Sequence, residues 1–492
     1  MAPSDPQPIP LKQTLSSLPP IYKDKDGLNL RTEIKSRLTS STSTTKKIPL
    51  LVILDDDPTG TQTCHDISVL TVWDIATLSS TFTSDTTRKA GGFFILTNSR
   101  ALHPDECRTL VEEVCQNLLQ AAKKQGDLQF EVVLRSDSTL RGHFPLEPEA
   151  AEDVLGKANA WILAPFFLQG GRYTVGDVHY VEDGKGTLVP AGLTPFAKDA
   201  TFGYTSSNLR EWVVEKSGGR IGLDRVVSLS LEDIRVGGPT KVAELLMGFE
   251  KGVVVVVNAA AEEDMDVVVL GILEAASKGR RFLYRSGAAL VSSRLGIKPI
   301  APKSADALSL DKSVGGLVVA GSYVPKTTAQ LKVLREKSGG RLTTIVVQVG
   351  ELLRSEDAAK KVIDEAVREA EKEIQRGQDV LIMTSRDLIT GKDERESLDI
   401  GSVVARSLVR FLQDLKTRPR YVIAKGGITS SDMATKGLKM KCATVVGQAA
   451  PGVPLWECFE ETSKWAGIPY IVFPGNVGSD DTLFQVVDGW RA

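Results

Sequence analysis

Apolar runs of four to six residues recur along the chain, and most end abruptly in glycine, proline, serine or a charge. Residues 51–54 (Leu-Val-Ile-Leu) run straight into Asp55-Asp56-Asp57-Pro58-Thr59-Gly60. A short unbroken apolar run closed by turn residues predicts a strand buried on both faces. The same pattern predicts strands at 67–73, 93–97, 130–134, 161–164, 226–230, 253–258 and 282–285. Helical periods lie between them. The clearest opens at His103-Pro104 and continues to 124, with apolar residues at 107, 110, 111, 114 and 118 on one face. Residues 28–38 predict one short helix. A softer stretch, 296–316, with Pro299, Pro302, Ser304 and Ser309, marks a domain boundary. A second series follows, with strands at 316–320, 344–349, 379–384, 421–425, 443–446 and 470–473 and helices at 325–338, 356–376 and 398–416. Buried strands alternating with helices predict largely parallel sheets. The expected fold class is α/β, in two α/β domains at 48–300 and 310–492, preceded by a Pro-, Ser- and Thr-rich extension at 1–47. That extension reads as loosely attached and partly disordered. There is no internal repeat.

Composition narrows the function classes. The 492 residues carry a formal net charge of -2, with 42% hydrophobic and 25% charged residues. That balance suits a soluble globular protein and argues against a general nucleic-acid binder. The longest apolar runs, such as 253–257, are too short to cross a bilayer. No charged-then-apolar secretory segment opens the chain, and acidic residues at 5, 24, 26 and 33 count against a transit peptide. Cysteines at 64, 107, 115, 442 and 458 form no close metal-binding pair and suit reduced thiols. Histidines at 65, 103, 143 and 179 are dispersed, so no histidine-based zinc site is expected. The expected location is cytoplasmic, with neither nucleic acid nor membrane as partner. The sequence allows a homodimer without indicating one.

Candidate chemistry sits where strands end, which is where open α/β sheets bind ligands. Asp55, Asp56 and Asp57 cannot all be buried ionised without partners, so they want arginines, a metal or sugar hydroxyls nearby; the alternative is a solvated acidic turn. Thr97-Asn98-Ser99-Arg100 ends a second strand. Arg135-Ser136-Asp137-Ser138-Thr139-Leu140-Arg141-Gly142 ends a third, two arginines flanking a carboxylate and three hydroxyls. Arginine forks grip carboxylates, and hydroxyls with an aspartate read sugar hydroxyls, which together suit a small anionic polyol. The same residues would also serve as a helix cap with an internal salt bridge. Farther on, Lys425-Gly426-Gly427-Ile428-Thr429 and Phe473-Pro474-Gly475-Asn476-Val477-Gly478 are glycine-rich strand exits, and Gly321-Ser322 is a third. Free N–H groups at such turns attract phosphate, though many β–α turns carry glycine without any ligand. The first is not a Walker A loop, which places its Lys-Ser/Thr after the last glycine.

In this order the motifs resemble the four-carbon acid sugar kinases, and the resemblance covers residues 48–490. Asp56-Asp57-Pro58-Thr59-Gly60 matches that family's Asp-Asp-x-Thr-Gly. Thr97 to Arg100 matches Thr-x-Ser-Arg, and Arg135 to Gly142 matches Lys/Arg-x-Asp-Ser-Thr-x-Arg-Gly. Pro165 through Gly171-Arg172 is similar to Pro-x-x-x-x-Gly-Arg with one extra residue. Gly321-Ser322, Gly426 to Thr429 and Gly475 to Gly478 resemble the nucleotide-domain elements. The resemblance implies an acid-sugar-binding domain at 48–300, a nucleotide-binding domain at 310–492 and an active-site cleft between them. It implies a kinase using ATP and Mg²⁺ to phosphorylate the terminal hydroxyl of threonate, erythronate or a 3-oxo-tetronate. Substrate contacts carried over are Asp56, Arg100, Arg135, Ser136, Asp137, Ser138 and Arg141. ATP contacts carried over are Ser322, Gly426, Gly427, Ile428, Thr429 and Gly475.

Arg135 or Arg100 would fix the substrate carboxylate, and Asp56 or Asp57 would act catalytically by orienting the attacking hydroxyl. The chain departs from the family pattern at Ile428, which replaces a loop aspartate, at Tyr323-Val324, and at Phe473-Pro474. Two rival readings use the same residues. Asp55-Asp56-Asp57-Pro58-Thr59 also fits a haloacid dehalogenase-type phosphatase, with Asp55 as nucleophile and Asp57 as acid/base. Ile428 also motivates a sugar-acid sensor that has lost transfer.

Overall fold

A computed structural model of the chain describes residues 6–24, 27–40, 48–321, 324–385 and 394–491. The apolar run that precedes the three aspartates forms the strand Leu50–Asp55, its residues 51–54 almost wholly inaccessible. Gly92–Leu96 lies parallel on one side of it and Phe130–Arg135 parallel on the other. The sheet continues beyond Phe130–Arg135 through Phe282–Ser286, Ala160–Ala164, Val253–Val257 and Val226–Leu229, all parallel. Strands covered by helices on both faces have no polar side to show, which is why each is an unbroken apolar run. The helix Pro104–Lys124 buries Cys107, Val111, Val114 and Leu118 along one stripe. Register matters most for function. Asp55 pairs with Arg135, and Arg135 with Ser286, so three strand ends align along one edge.

The chain divides into two compact units: residues 1–68 with 72–299, and residues 69–71 with 300–492. The first holds a second sheet that the apolar pattern does not reveal. Arg172–Val175, Val178–Glu182 and Thr187–Pro190 form an antiparallel meander, and Ile9–Pro10 adds an edge strand to it. Its first turn is Gly176-Asp177, both with positive φ (59° and 65°), the conformation that matches the twist of a two-residue hairpin.

The described parts of the N-terminal extension, residues 6–24 and 27–40, are tied to the first unit. Besides the edge strand, Arg235 donates to the Pro19 carbonyl at 2.8 Å. The helix Leu30–Ser40 buries Ile34 completely and inserts Arg31 between Asp266 and the Ile297 carbonyl.

In the second unit Leu342–Val347, Asp379–Thr384, Leu317–Ala320, Val422–Lys425 and Tyr470–Phe473 run parallel in that spatial order. The helix Pro325–Ser338 contributes Leu331 and Leu334 to the core over this sheet. The strand expected at 443–446 is longer, Cys442–Ala450, and turns back antiparallel into Val453–Glu457, which pairs antiparallel with Tyr470–Phe473. This edge is thus mixed rather than parallel.

Candidate active site

The strand Leu50–Asp55 delivers three aspartates into three different environments. Asp55 is still inside the sheet. Both its carboxylate oxygens are buried without a hydrogen bond, and Arg135 Nη1 lies 3.5 Å away. Burial pushes its carboxyl well above the usual range, with Arg135 opposing. A side chain at residue 60 would place its Cβ 1.9 Å from Asp55 Oδ1, so only glycine fits there. A carboxylate packed this closely against the backbone has no room for nucleophilic attack, which counts against the phosphatase reading.

Asp56 emerges at the edge. Its two oxygens accept from Arg100 Nε at 3.0 Å and Nη2 at 2.5 Å, a two-pronged ion pair. Arg100 reaches it because Asn98, with φ 51°, turns the chain sharply after Gly92–Leu96. Asp57 caps the short helical turn Pro58–Thr61 by accepting from the Thr59 N–H at 2.9 Å, and lies 3.6 Å from Arg100 Nη1.

The loop from Arg135 to Gly142 forms the next wall. Arg135 donates to Gln62 Oε1 at 3.2 Å. Asp137 accepts from the Thr139 hydroxyl and from Arg141 Nε at 2.6 Å. Burial alone would raise the Asp137 carboxyl, but Arg141 and Arg100 hold it far below the usual range. Ser136 and Ser138 are buried beside it. The loop is braced from the meander: His179 Nε2 contacts the Ser138 carbonyl at 2.7 Å while its Nδ1 faces the Thr174 hydroxyl at 2.9 Å. Those partners make the ring a neutral tautomer with Nε2 as donor. Burial, above all, lowers its pKa to about 4. Tyr204 donates to the Thr139 carbonyl at 2.8 Å. Beneath Asp56, the fully buried Glu147 accepts from Ser99 Oγ at 2.5 Å, and its pKa is raised to about 7, first by burial and then by Asp56.

In the second unit three neighbouring strands end together. Ala320 pairs with Lys425, and Lys425 with Phe473. A Cβ on Gly321 would lie 3.2 Å from Thr429 Oγ1, and one on Gly475 would lie 3.7 Å from Thr327 Oγ1. The loops at Gly321, Gly426 to Thr429 and Gly475 are therefore adjacent. Gly426 has φ 106°, a conformation only glycine adopts freely, and opens the short helix Gly427–Asp432. Ile428 presents its side chain to solvent (61% exposed). Lys425 is fully buried, bonded to the Pro474 carbonyl and 4.3 Å from the Phe473 ring centre; burial lowers its pKa to about 7, with Lys326 adding to the effect. Ser322 lies outside the described residues.

A family model of a sugar-binding N-terminal domain matches residues 51–294, and one of a nucleotide-binding C-terminal domain matches residues 317–483. The chain belongs to the four-carbon acid sugar kinase family. A D-erythronate kinase of Heliobacterium modesticaldum (strain ATCC 51547 / Ice1) is 26% identical to this kinase over 418 residues, covering 80% of this chain and 86% of that protein. Haemophilus influenzae protein HI1011 superposes with a TM-score of 0.56 at 16% identity, over 90% of this chain and 100% of that one. A structure titled as a putative tRNA synthase from Salmonella typhimurium LT2 gives 0.62 at 14% identity, over 88% and 98%. At such identities the two structures speak for the fold alone.

The structure of the kinase gathers Asp56, Asp57, Arg100, Arg135, Ser136, Asp137, Ser138 and Arg141 at one sheet edge, and Gly426, Gly427, Ile428, Thr429 and Gly475 at another. Motif reading missed Gln62, Glu147, His179, Tyr204 and Arg285. Of these, Arg285 alone had a usable signal, a charge ending an apolar strand. Among the described residues, no group of three His, Cys, Asp or Glu side chains could hold a metal ion. No helix among the described residues is long and apolar enough to cross a membrane.

Proposed function

We propose that this kinase transfers the terminal phosphoryl group of ATP to the terminal hydroxyl of a four-carbon sugar acid of the erythronate, threonate or 3-oxo-tetronate type. The observation that carries the reading is the Arg100-clamped Asp56 at the end of a buried strand, beside Ser136, Asp137 and Ser138. Phosphoryl transfer needs alignment and charge stabilisation more than covalent chemistry. The two-pronged contact with Arg100 fixes the Asp56 oxygens, placing them to accept from a substrate hydroxyl and to take its proton as attack begins. Asp57 is the second candidate for that task, and the hydroxyls of Ser136 and Ser138 complete a polyol-reading surface. On the nucleotide side, the N–H groups at Gly426, Gly427 and Gly475 would cradle phosphates, with Lys425 behind the loop. The likeness to a D-erythronate kinase supports the substrate class and leaves the stereoisomer open.

The test is a coupled ADP-release assay over the four-carbon sugar acids. Asp56→Asn should reduce transfer by about 10²- to 10⁴-fold, the range for a general base, while nucleotide binding persists. Gly427→Val should do the reverse and abolish nucleotide binding. Full turnover in both variants would show the site to be wrong. Stabilisation by a sugar acid without any ATP consumption would instead favour the sensor.

A further inference from the structure

The arginines at the carboxyl edge of the first unit divide into two groups. Arg100 is held by Asp56 and Asp57, Arg135 faces Asp55, and Arg141 is bound to Asp137 and lies 3.6 Å from Asp199. Each of these cations is already matched inside the protein. Arg172 and Arg285 are not. Among the described residues neither has a carboxylate at ion-pair distance, although both are almost fully buried, at 6% and 3% exposure. The Arg172 guanidinium makes no hydrogen bond among these residues and rests against the Phe196 ring at 5.7 Å. The Arg285 guanidinium has one, from Nη2 to the Arg141 carbonyl at 3.1 Å, and stacks on Trp212 at 5.0 Å and Phe144 at 5.5 Å. In both, Nε is buried without a partner.

A buried cation with no carboxylate at ion-pair distance is costly, and aromatic stacking, with the more distant charges of Asp137 on both and of Glu147 and Asp56 on Arg285, offsets only part of that cost. Such a pair makes sense where an anion arrives. The two side chains flank one element of the site: Arg285 bonds the Arg141 carbonyl, and Arg172 shares the Phe196 ring with the Arg141 side chain. A Cβ on Gly142 would lie 3.1 Å from Asp56 Oδ2 and 3.6 Å from Arg285 Nη2, so Arg285 borders the carboxylate proposed to receive the substrate hydroxyl.

We infer that Arg172 and Arg285, rather than Arg100 or Arg135, form the receptor for the substrate's carboxylate and make the site selective for short hydroxy acids over neutral polyols. This rests on the sugar-acid reading above. It divides the labour within the site, with Asp56 and Asp57 taking hydroxyls and Arg172 with Arg285 taking the acid group.

The test compares D-erythronate with its neutral amide by calorimetric titration of the full chain. Wild type should prefer the acid. Arg172→Met and Arg285→Met should each weaken acid binding by about 30- to 4,000-fold, the range for truncating one partner of a buried charge pair. Amide and ATP binding should stay within about threefold, as expected where no charge pair is lost. Arg172→Lys and Arg285→Lys keep the charge without the fork and serve if a Met variant does not fold; they should recover part of the acid preference. Equal affinity of wild type for acid and amide, parallel loss of both compounds in the variants, or undiminished acid preference in folded variants would each overturn the assignment. Acid preference lost in the variants, with no phosphorylation of any sugar acid by wild type, would uphold the receptor and refute the kinase reading.

Discussion

Glu147 shows how one buried side chain ties the site to the stability of the fold. Its carboxyl is raised from 4.5 to about 7, first by burial and then by the charge of Asp56. The folded chain therefore binds this proton more tightly than the unfolded chain does. Stability is full below pH 4.5 and is lost as pH rises toward and through 7. His179 runs the other way. Burial keeps it neutral down to about 4 against an ordinary 6.5, so its contribution is full above 6.5 and is lost as pH falls toward 4. Glu147→Gln keeps an oxygen to accept from Ser99 and removes the first dependence. We expect the unfolding free energy of the wild type, measured by urea titration, to fall between pH 5 and 8 relative to this variant, by up to about 3 kcal/mol. A constant difference across that range would refute the expectation. Nothing in the sequence announces Glu147. It sits in Leu146-Glu147-Pro148-Glu149, which reads as the solvated acidic first turn of a helix, and only the packing of that turn beneath Ser99 reveals otherwise. Asp56 and Arg100 were legible because a charge ending an apolar strand has few places to go.

Among the elements, the helix Pro325–Ser338 stands where a helix was expected, at about 325–338, opened by Pro325 and followed by Gly339. What it does was not legible. Gln330 is buried on it, and its amide donates to the Val477 carbonyl at 3.0 Å and the Ser479 carbonyl at 2.7 Å. These bonds pin the loop that follows Gly475, one of the proposed phosphate walls. Gln330→Leu keeps the volume and removes the donor from both carbonyls, at a cost of about 1–3 kcal/mol for the one on buried Val477. We expect the KM for ATP to rise several-fold with the KM for the sugar acid unchanged; the converse split would place the effect elsewhere. The meander from Arg172 to Pro190 is the element the hydrophobic pattern hid. Its strands are short and half-polar, and Gly176-Asp177, a sound hairpin signal, stands between runs too brief to count as periodic. The same brevity hid Val453–Glu457. Parallel strands are legible because burial on both faces purges them of polar residues; antiparallel edges carry a weaker signal.

At the scale of the whole chain, the described part of the N-terminal extension packs into the fold, and Arg31 is its anchor. Its Nε meets Asp266 at 2.6 Å, Nη1 the Ile297 carbonyl at 2.7 Å and Nη2 Glu262 at 3.3 Å, with both Arg31 and Asp266 more than nine-tenths buried. One side chain thus joins the helix Leu30–Ser40, the helix Glu262–Ser277 and the chain leaving the first unit. Composition suggested a loose appendage because proline, serine and threonine dominate around it, and composition is blind to a single well-placed charge. Arg31→Met leaves Asp266 with the Ser293 hydroxyl at 2.6 Å and no cation. Breaking one side of a buried pair costs about 3–5 kcal/mol. Burial already pushes the Asp266 carboxyl upward against the pull of Arg31. Without Arg31 that carboxyl should rise further and take up a proton as pH falls, which relieves the stranded charge. The destabilisation by Arg31→Met should therefore be large at pH 8 and smaller at pH 5. It should also shrink in the Asp266→Asn background, where no charge is left to strand, so that the double variant is less destabilised than the two single losses combined. Urea titrations of the four chains at both pH values measure this directly. A pH-independent loss that adds fully across the double variant would mean that Arg31 acts through its aliphatic stem alone.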